Sequence, residues 1–175
     1  MPLTHLKKDG LGPIVSSEHL SRKAKELSEF EFGLIIAGHA FNRWMVRCMT
    51  AVGFSELNSL DILVLHSVNH RERAKRLADI CLVLNIEDSH TVSYALKKLT
   101  KLELLSNQKQ GKETFFKTTE LGQTTCMQYA EIREACLVES LASLGIAPED
   151  MHQIAASLRA MSGLYDQAAR SAASL

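Results

Sequence analysis

Apolar residues recur at steps of three and four from Phe30 through Leu34, Ala37, Phe41 and Met45 to Cys48. That period predicts a long helix from about Glu18 to Val52, closed by Gly53. A second helical stretch, "SELNSLDILVLHSVNH", follows, with Ser55 as its expected N-cap. Leu57, Leu60, Val64 and Val68 form one stripe there, and Ile62, Leu63 and Leu65 widen it. A stripe that broad predicts burial on more than one side. A third helix lies within "RERAKRLADICLVLN", with Leu77, Ile80, Cys81 and Leu84 on an inward face and charge expected opposite.

A fourth helix, capped by Asp88 or Ser89, turns Val92, Leu96 and Leu99 inward. His90, Ser93, Tyr94, Lys97 and Lys101 are left facing out. The period then becomes extended over "LLSNQK" and "KETFFKT", joined at Gln110-Gly111, which predicts a β-hairpin. Phe115 and Phe116 fall on opposite faces of their strand, so one of them needs cover from elsewhere. The helical period returns from Thr119 and breaks at Gly145. Pro148, Glu149 and Asp150 then open a last helix carrying Met151, Ile154, Leu158, Met161 and Leu164. Residues 1–16 read as a lead-in.

The order from Ser55 to Thr118 is three helices and a hairpin. The short link between the third and fourth helices, around Ile86 to Asp88, matches a helix-turn-helix. In such a unit the second helix offers its N-terminal residues to base edges in the major groove. Ser89, His90, Thr91, Ser93 and Tyr94 are therefore candidates for groove contacts. Lys97, Lys98 and Lys101 lie further along and are candidates for phosphate contacts. Lys109 and Lys112 flank the hairpin tip, where they would meet backbone phosphates.

Charge sharpens this picture. The 175-residue chain has zero formal net charge, but its distribution is uneven. Residues 1–68 carry seven basic and seven acidic side chains. Residues 69–118 carry ten basic and six acidic, and residues 119–175 three basic and seven acidic. A basic middle suits a polyanion. Arg71, Arg73, Lys75 and Arg76 make a second basic cluster at the start of helix three.

The stretch "TVSYALKKLTKLELLSNQKQGKETFFKTTELG" resembles the recognition helix, wing and following helix start of the MarR family of winged helix-turn-helix regulators. Leu96, Leu99, Leu104 and Leu105 occupy its leucine positions, and Thr119-Glu120-Leu121-Gly122 its "LTxxG". The resemblance implies a mainly α fold with a small β-hairpin wing: one MarR-like domain over residues 1–175. Within it, an N-terminal dimerisation helix (18–53) and C-terminal dimerisation helices (119–171) flank a DNA-binding lobe (55–118). It also implies a cytoplasmic homodimer on palindromic double-stranded DNA, relieved by a small-molecule effector. Phe41, Trp44, Met45 and Met49 fit core packing first; by the resemblance they would line an effector pocket. Glu103 stands where the family has glycine, and the wing reads "QKQGKET" without the usual Asp-x-Arg. Ser93-Tyr94 replaces a common Thr-Arg pair, which speaks against guanine reading by a bidentate arginine.

Other chemistry is not indicated. No apolar run reaches the roughly 18 residues a bilayer span needs; "FGLIIAGHAF" is too short. No P-loop, GxGxxG, GxSxG or HExxH occurs, so an enzyme is not expected and no cofactor is assigned. His66 and His70 have metal-binding spacing but no third ligand nearby, so no metal is assigned. Cys48, Cys81, Cys126 and Cys136 read as small buried hydrophobes, reduced in the cytoplasm. The rival reading is a winged-helix module that binds protein rather than DNA.

Overall fold

The computed structural model describes residues 24–175. The expected lead-in and the start of the first helix at Glu18 lie outside the described residues. Two compact units divide after Gly122.

In the first unit, α1 spans Lys25–Val52 and ends in a left-handed Gly53 with φ 107°. Phe54 N–H bonds the Met49 carbonyl at 2.9 Å across that turn, which satisfies an end carbonyl of the helix. Met45, Cys48 and Met49 are buried, whereas Leu34, Ile35, Ile36 and Phe41 are exposed. The apolar side chains that α1 buries thus lie in its C-terminal part, while Ser28 is buried near its start.

Helix α2 spans Ser59–Asn69. Its cap is not Ser55 but Asn58, whose Oδ1 accepts from Asp61 N–H at 2.9 Å while Asp61 Oδ2 accepts from Asn58 N–H at 3.0 Å. This reciprocal box satisfies two of the unpaired donors at the helix start, which one serine three residues earlier does not reach. Ile62, Val64, Leu65 and Val68 are buried. The helix packs on α1 and, as the later elements are reached, on both halves of the helix-turn-helix and on the sheet. The broad stripe reflects this central position.

After a 3-10 turn at His70–Glu72 comes strand β1, Lys75–Arg76, then helix α3, Leu77–Leu84. Helix α4 spans Ser89–Lys101, capped by Asp88, whose Oδ1 accepts from His90 N–H at 2.9 Å. Val92, Ala95, Leu96 and Leu99 are its buried side. Strands β2 (Leu105–Gln110) and β3 (Glu113–Thr118) form the wing.

The sheet has three strands, in order β1-β3-β2, where the sequence predicted a two-stranded hairpin. Lys75 pairs with Phe116 and Arg76 with Phe115, and the two rings border different depressions, Phe115 with Leu82 and Val83 and Phe116 with Leu96. Gln110 pairs with Glu113, which makes the loop Gly111-Lys112 rather than Gln110-Gly111. Gly111 alone has positive φ, 62°, as a type II′ turn needs at its first central position.

Thr119 closes this unit. Its hydroxyl donates to the Glu103 carbonyl at 2.6 Å and accepts from Gly122 N–H at 3.0 Å. The "TELG" motif therefore caps the helix that starts at Glu120 and ties it to the end of α4.

The second unit contains most of α5 (Glu120–Arg133), a π-helical segment Glu134–Val138, a short α6 (Glu139–Leu141), a 3-10 turn and α7 (Pro148–Ala172). The helix expected to run unbroken to Gly145 loses its α pattern after Arg133. Ser140 and Ser143 hydroxyls donate to the Cys136 and Ser140 carbonyls there, competing with the ladder. Pro148 opens α7 as expected, with Glu149 and Asp150 in its first turn. No residue of α7 is buried; Ile154, Leu158 and Leu164 are exposed. Cys48 and Cys126 are buried, Cys81 is half-buried, and Cys136 is exposed, against the expectation that all four are buried. Burial pushes the Cys126 thiol up to about 12.

Candidate nucleic-acid interface

The exposed side of α4 is set by the phase of its buried side. Ser89, His90, Thr91, Tyr94, Lys97 and Lys101 all stand in solvent, and Ser93 is half-buried. Tyr94 keeps 71% of its surface exposed, the most prominent group on this face. Lys97 Nζ lies 5.5 Å from the centre of its ring, a cation–π contact between residues one helical turn apart. Thr91 Oγ1 donates to the Asp88 carbonyl at 2.7 Å. Lys101 lies in the last turn, where a cation complements the helix dipole.

The wing shares this side. Ser93 and Lys97 line one groove together with Arg76, Glu113, Thr114 and Phe116. Lys109 is exposed on β2 opposite Thr114, and Lys112 is exposed in the turn itself. The candidate helix residues and the wing strand thus border a common depression.

Three basic residues do other work. Lys98, placed among the phosphate lysines by sequence, turns into the fold. Its Nζ lies 2.7 Å from Asp61 Oδ2 and donates to the Glu56 carbonyl at 2.6 Å. Asp61 is only 3% exposed, so this ammonium neutralises a buried carboxylate. Lys75 is also drawn inward. Its ammonium donates to the Val68 carbonyl at 3.1 Å and to the Ser67 and His70 carbonyls, the open acceptors at the C-terminus of α2. Burial, then the nearby Arg73 and Arg71, hold its pKa below the ordinary lysine range.

Arg76 is engaged by carboxylates. It donates to Asp79 Oδ1 at 2.9 Å and to both oxygens of Glu113 at 3.1 Å. These hydrogen bonds raise its pKa, and they hold the Asp79 carboxyl down to about 2. Arg71 and Arg73 remain exposed, Arg71 in a left-handed conformation at φ 61°.

The sequence placed charge on the outer face of α3; the structure puts Leu82 and Val83 there, 84% and 70% exposed. They line a depression with Arg73, Arg76 and Phe115. An eight-residue helix with five bulky aliphatics cannot bury all of them on one side, and that surplus was the available signal. On α1, Met45 and Met49 are core residues, Trp44 is half-buried and Phe41 exposed. Burial lowers the pKa of His66, while His70 is exposed. Among the described residues no group of three or more His, Cys, Asp or Glu is placed to hold a metal ion. Among the same residues, no helix is long and apolar enough to cross a membrane.

Residues 57–122 match the winged helix DNA-binding domain family. No curated protein matches the sequence. Several solved structures share the fold. A MarR-family transcriptional regulator from Rhodococcus sp. RHA1 aligns at TM-score 0.64 and 13% identity, covering 81% of this chain and 97% of its own. A mutant MarR from E. coli complexed with operator DNA aligns at 0.64 and 12%, covering 81% and 99%. CouR from Rhodococcus jostii RHA1, bound to p-coumaroyl-CoA, aligns at 0.63 and 14%, covering 75% and 90%. Residues 57–122 are therefore similar to a winged helix DNA-binding domain, and the fold is that of the MarR-family winged helix regulators.

Proposed function

We propose that the chain is a sequence-specific double-stranded DNA-binding transcription regulator. It acts in the cytoplasm as a homodimer on a palindromic operator. The observation that carries this reading is the α4 face from Ser89 to Lys101, standing free beside the lysine-bearing wing. Ser89, His90, Thr91, Ser93 and Tyr94 are the groove residues; Lys97, Lys101, Lys109 and Lys112 are the phosphate contacts. Lys98, engaged with Asp61, supports α4 from within.

Dimerisation rests on surplus apolar surface in each unit: Leu34, Ile35, Ile36 and Phe41 on α1, and Ile154, Leu158 and Leu164 on α7. A two-fold partner would bury both sets and set two recognition helices about one DNA turn apart. Residues 18–53 and 119–171 are then the dimerisation helices and 55–118 the DNA-binding lobe. Relief by a small-molecule effector is proposed by analogy with the p-coumaroyl-CoA-bound neighbour.

The test is duplex binding by fluorescence anisotropy across a salt series. We expect affinity to fall steeply with salt, as counterion release requires, and the protein to have a dimer's mass in solution. Exposed Leu82 and Val83 beside Phe115 favour a second reading, a protein-docking winged helix. That reading predicts no salt-dependent duplex affinity.

A further inference from the structure

The free face of α4 is notable for what it lacks. From Ser89 to Lys101 there is no Arg, Asn or Gln. Those are side chains that read guanine and adenine through paired hydrogen bonds in the major groove. Of its two lysines nearest the centre, one is engaged within the fold and the other is the phosphate contact proposed above. Lys98 is bonded to Asp61 and the Glu56 carbonyl, and Lys97 is drawn over the ring of Tyr94.

Beside the polar Ser89, His90 and Ser93, the face offers apolar surface. The Tyr94 ring is its largest exposed surface. One helical turn back, exposed Thr91 gives its hydroxyl proton to the Asp88 carbonyl, so it cannot donate to a base edge, while its methyl can still pack on one. Apolar surface in the major groove has one complementary feature on the base edges, the C5-methyl of thymine. Serine hydroxyls at Ser89 and Ser93 can accompany either base pair and do not change this bias.

We propose that α4 reads thymine. Tyr94 and Thr91 pack on thymine C5-methyl groups in each half-site, and the operator core is accordingly rich in A·T pairs. This rests on the DNA-binding reading above.

The experiment takes the full chain and duplexes selected by it from a random-sequence pool. Each thymine of the selected half-site is then replaced in turn by deoxyuridine, which removes the methyl and keeps the base pairing. We expect at least one replacement to weaken binding about fourfold, the factor that burying one methyl group corresponds to. Tyr94→Ala should abolish that thymine-over-uracil ratio, and Tyr94→Phe should retain it. Tyr94 is exposed, so neither variant disturbs the core, and the ratio is measured within each variant. The proposal is overturned if every replacement is neutral, or if Tyr94→Ala still discriminates, while salt-dependent duplex binding persists. Absence of any salt-dependent duplex binding overturns the DNA-binding reading and this inference with it.

Discussion

Gly122 lies so close to the Leu104 carbonyl that no side chain fits between them. A Cβ at Gly122 would fall well inside contact distance of the oxygen and 3.1 Å from the carbonyl carbon. The same oxygen accepts from Thr119 N–H at 3.1 Å, so it cannot withdraw without breaking the cap of α5. Gly122→Ala should therefore destabilise the fold by about 2–3 kcal/mol. The check is a shift in the urea midpoint with an unchanged slope.

Glu103 sits at the end of α4 with φ 59°, a conformation that costs a non-glycine residue about 1–2 kcal/mol. Its neighbours complete a C-terminal cap in which Leu104 N–H bonds the Leu99 carbonyl at 3.0 Å. Glu103→Gly should raise stability by about 1 kcal/mol, part of the gain being lost to the greater freedom of glycine in the unfolded chain. For a chain of this size that is a rise in melting temperature of about 2–4 °C by calorimetry.

Adjacent lysines on α4 should separate stability from binding. Lys98→Ala leaves the buried Asp61 carboxylate without its cation and should cost about 2 kcal/mol, discounted because the Lys98 side chain is 36% exposed. Lys97→Ala should leave the urea midpoint unchanged, weaken duplex binding about equally on all sequences and lower the salt slope by about one. Equal stability losses for the two variants would contradict this division.

His66 makes stability depend on pH. Burial lowers its pKa below the ordinary 6.5, so the folded state holds fewer protons than the unfolded chain. Its contribution is complete above pH 6.5 and is lost as pH falls from there through the folded pKa. Denaturation midpoints should decline between pH 7 and pH 5, and His66→Gln should flatten that decline.

Much of this architecture was legible in the sequence, because periodicity and turn chemistry are local. The period of α4 separated Val92, Leu96 and Leu99 from Tyr94 and Lys97, and Gly53 and Pro148 marked their helix ends as found. What escaped were features fixed by tertiary partners. Strand β1 is two residues long, too short for any alternation to show. Lys75 and Lys98 read as surface cations because nothing local reveals that an α2 end or a buried Asp61 lies within their reach. The Asn58–Asp61 capping box is the exception: its three-residue spacing is local and stands in the sequence, three residues beyond the expected cap at Ser55.

Arg76 sits at the start of α3 and grips both oxygens of Glu113 on the wing. A hairpin fastened beside its tip in this way is no loose flap. Under the proposed reading it would turn with the helix pair as a single reading head, so any rotation of the helix pair would reach the wing's contacts on the duplex as well.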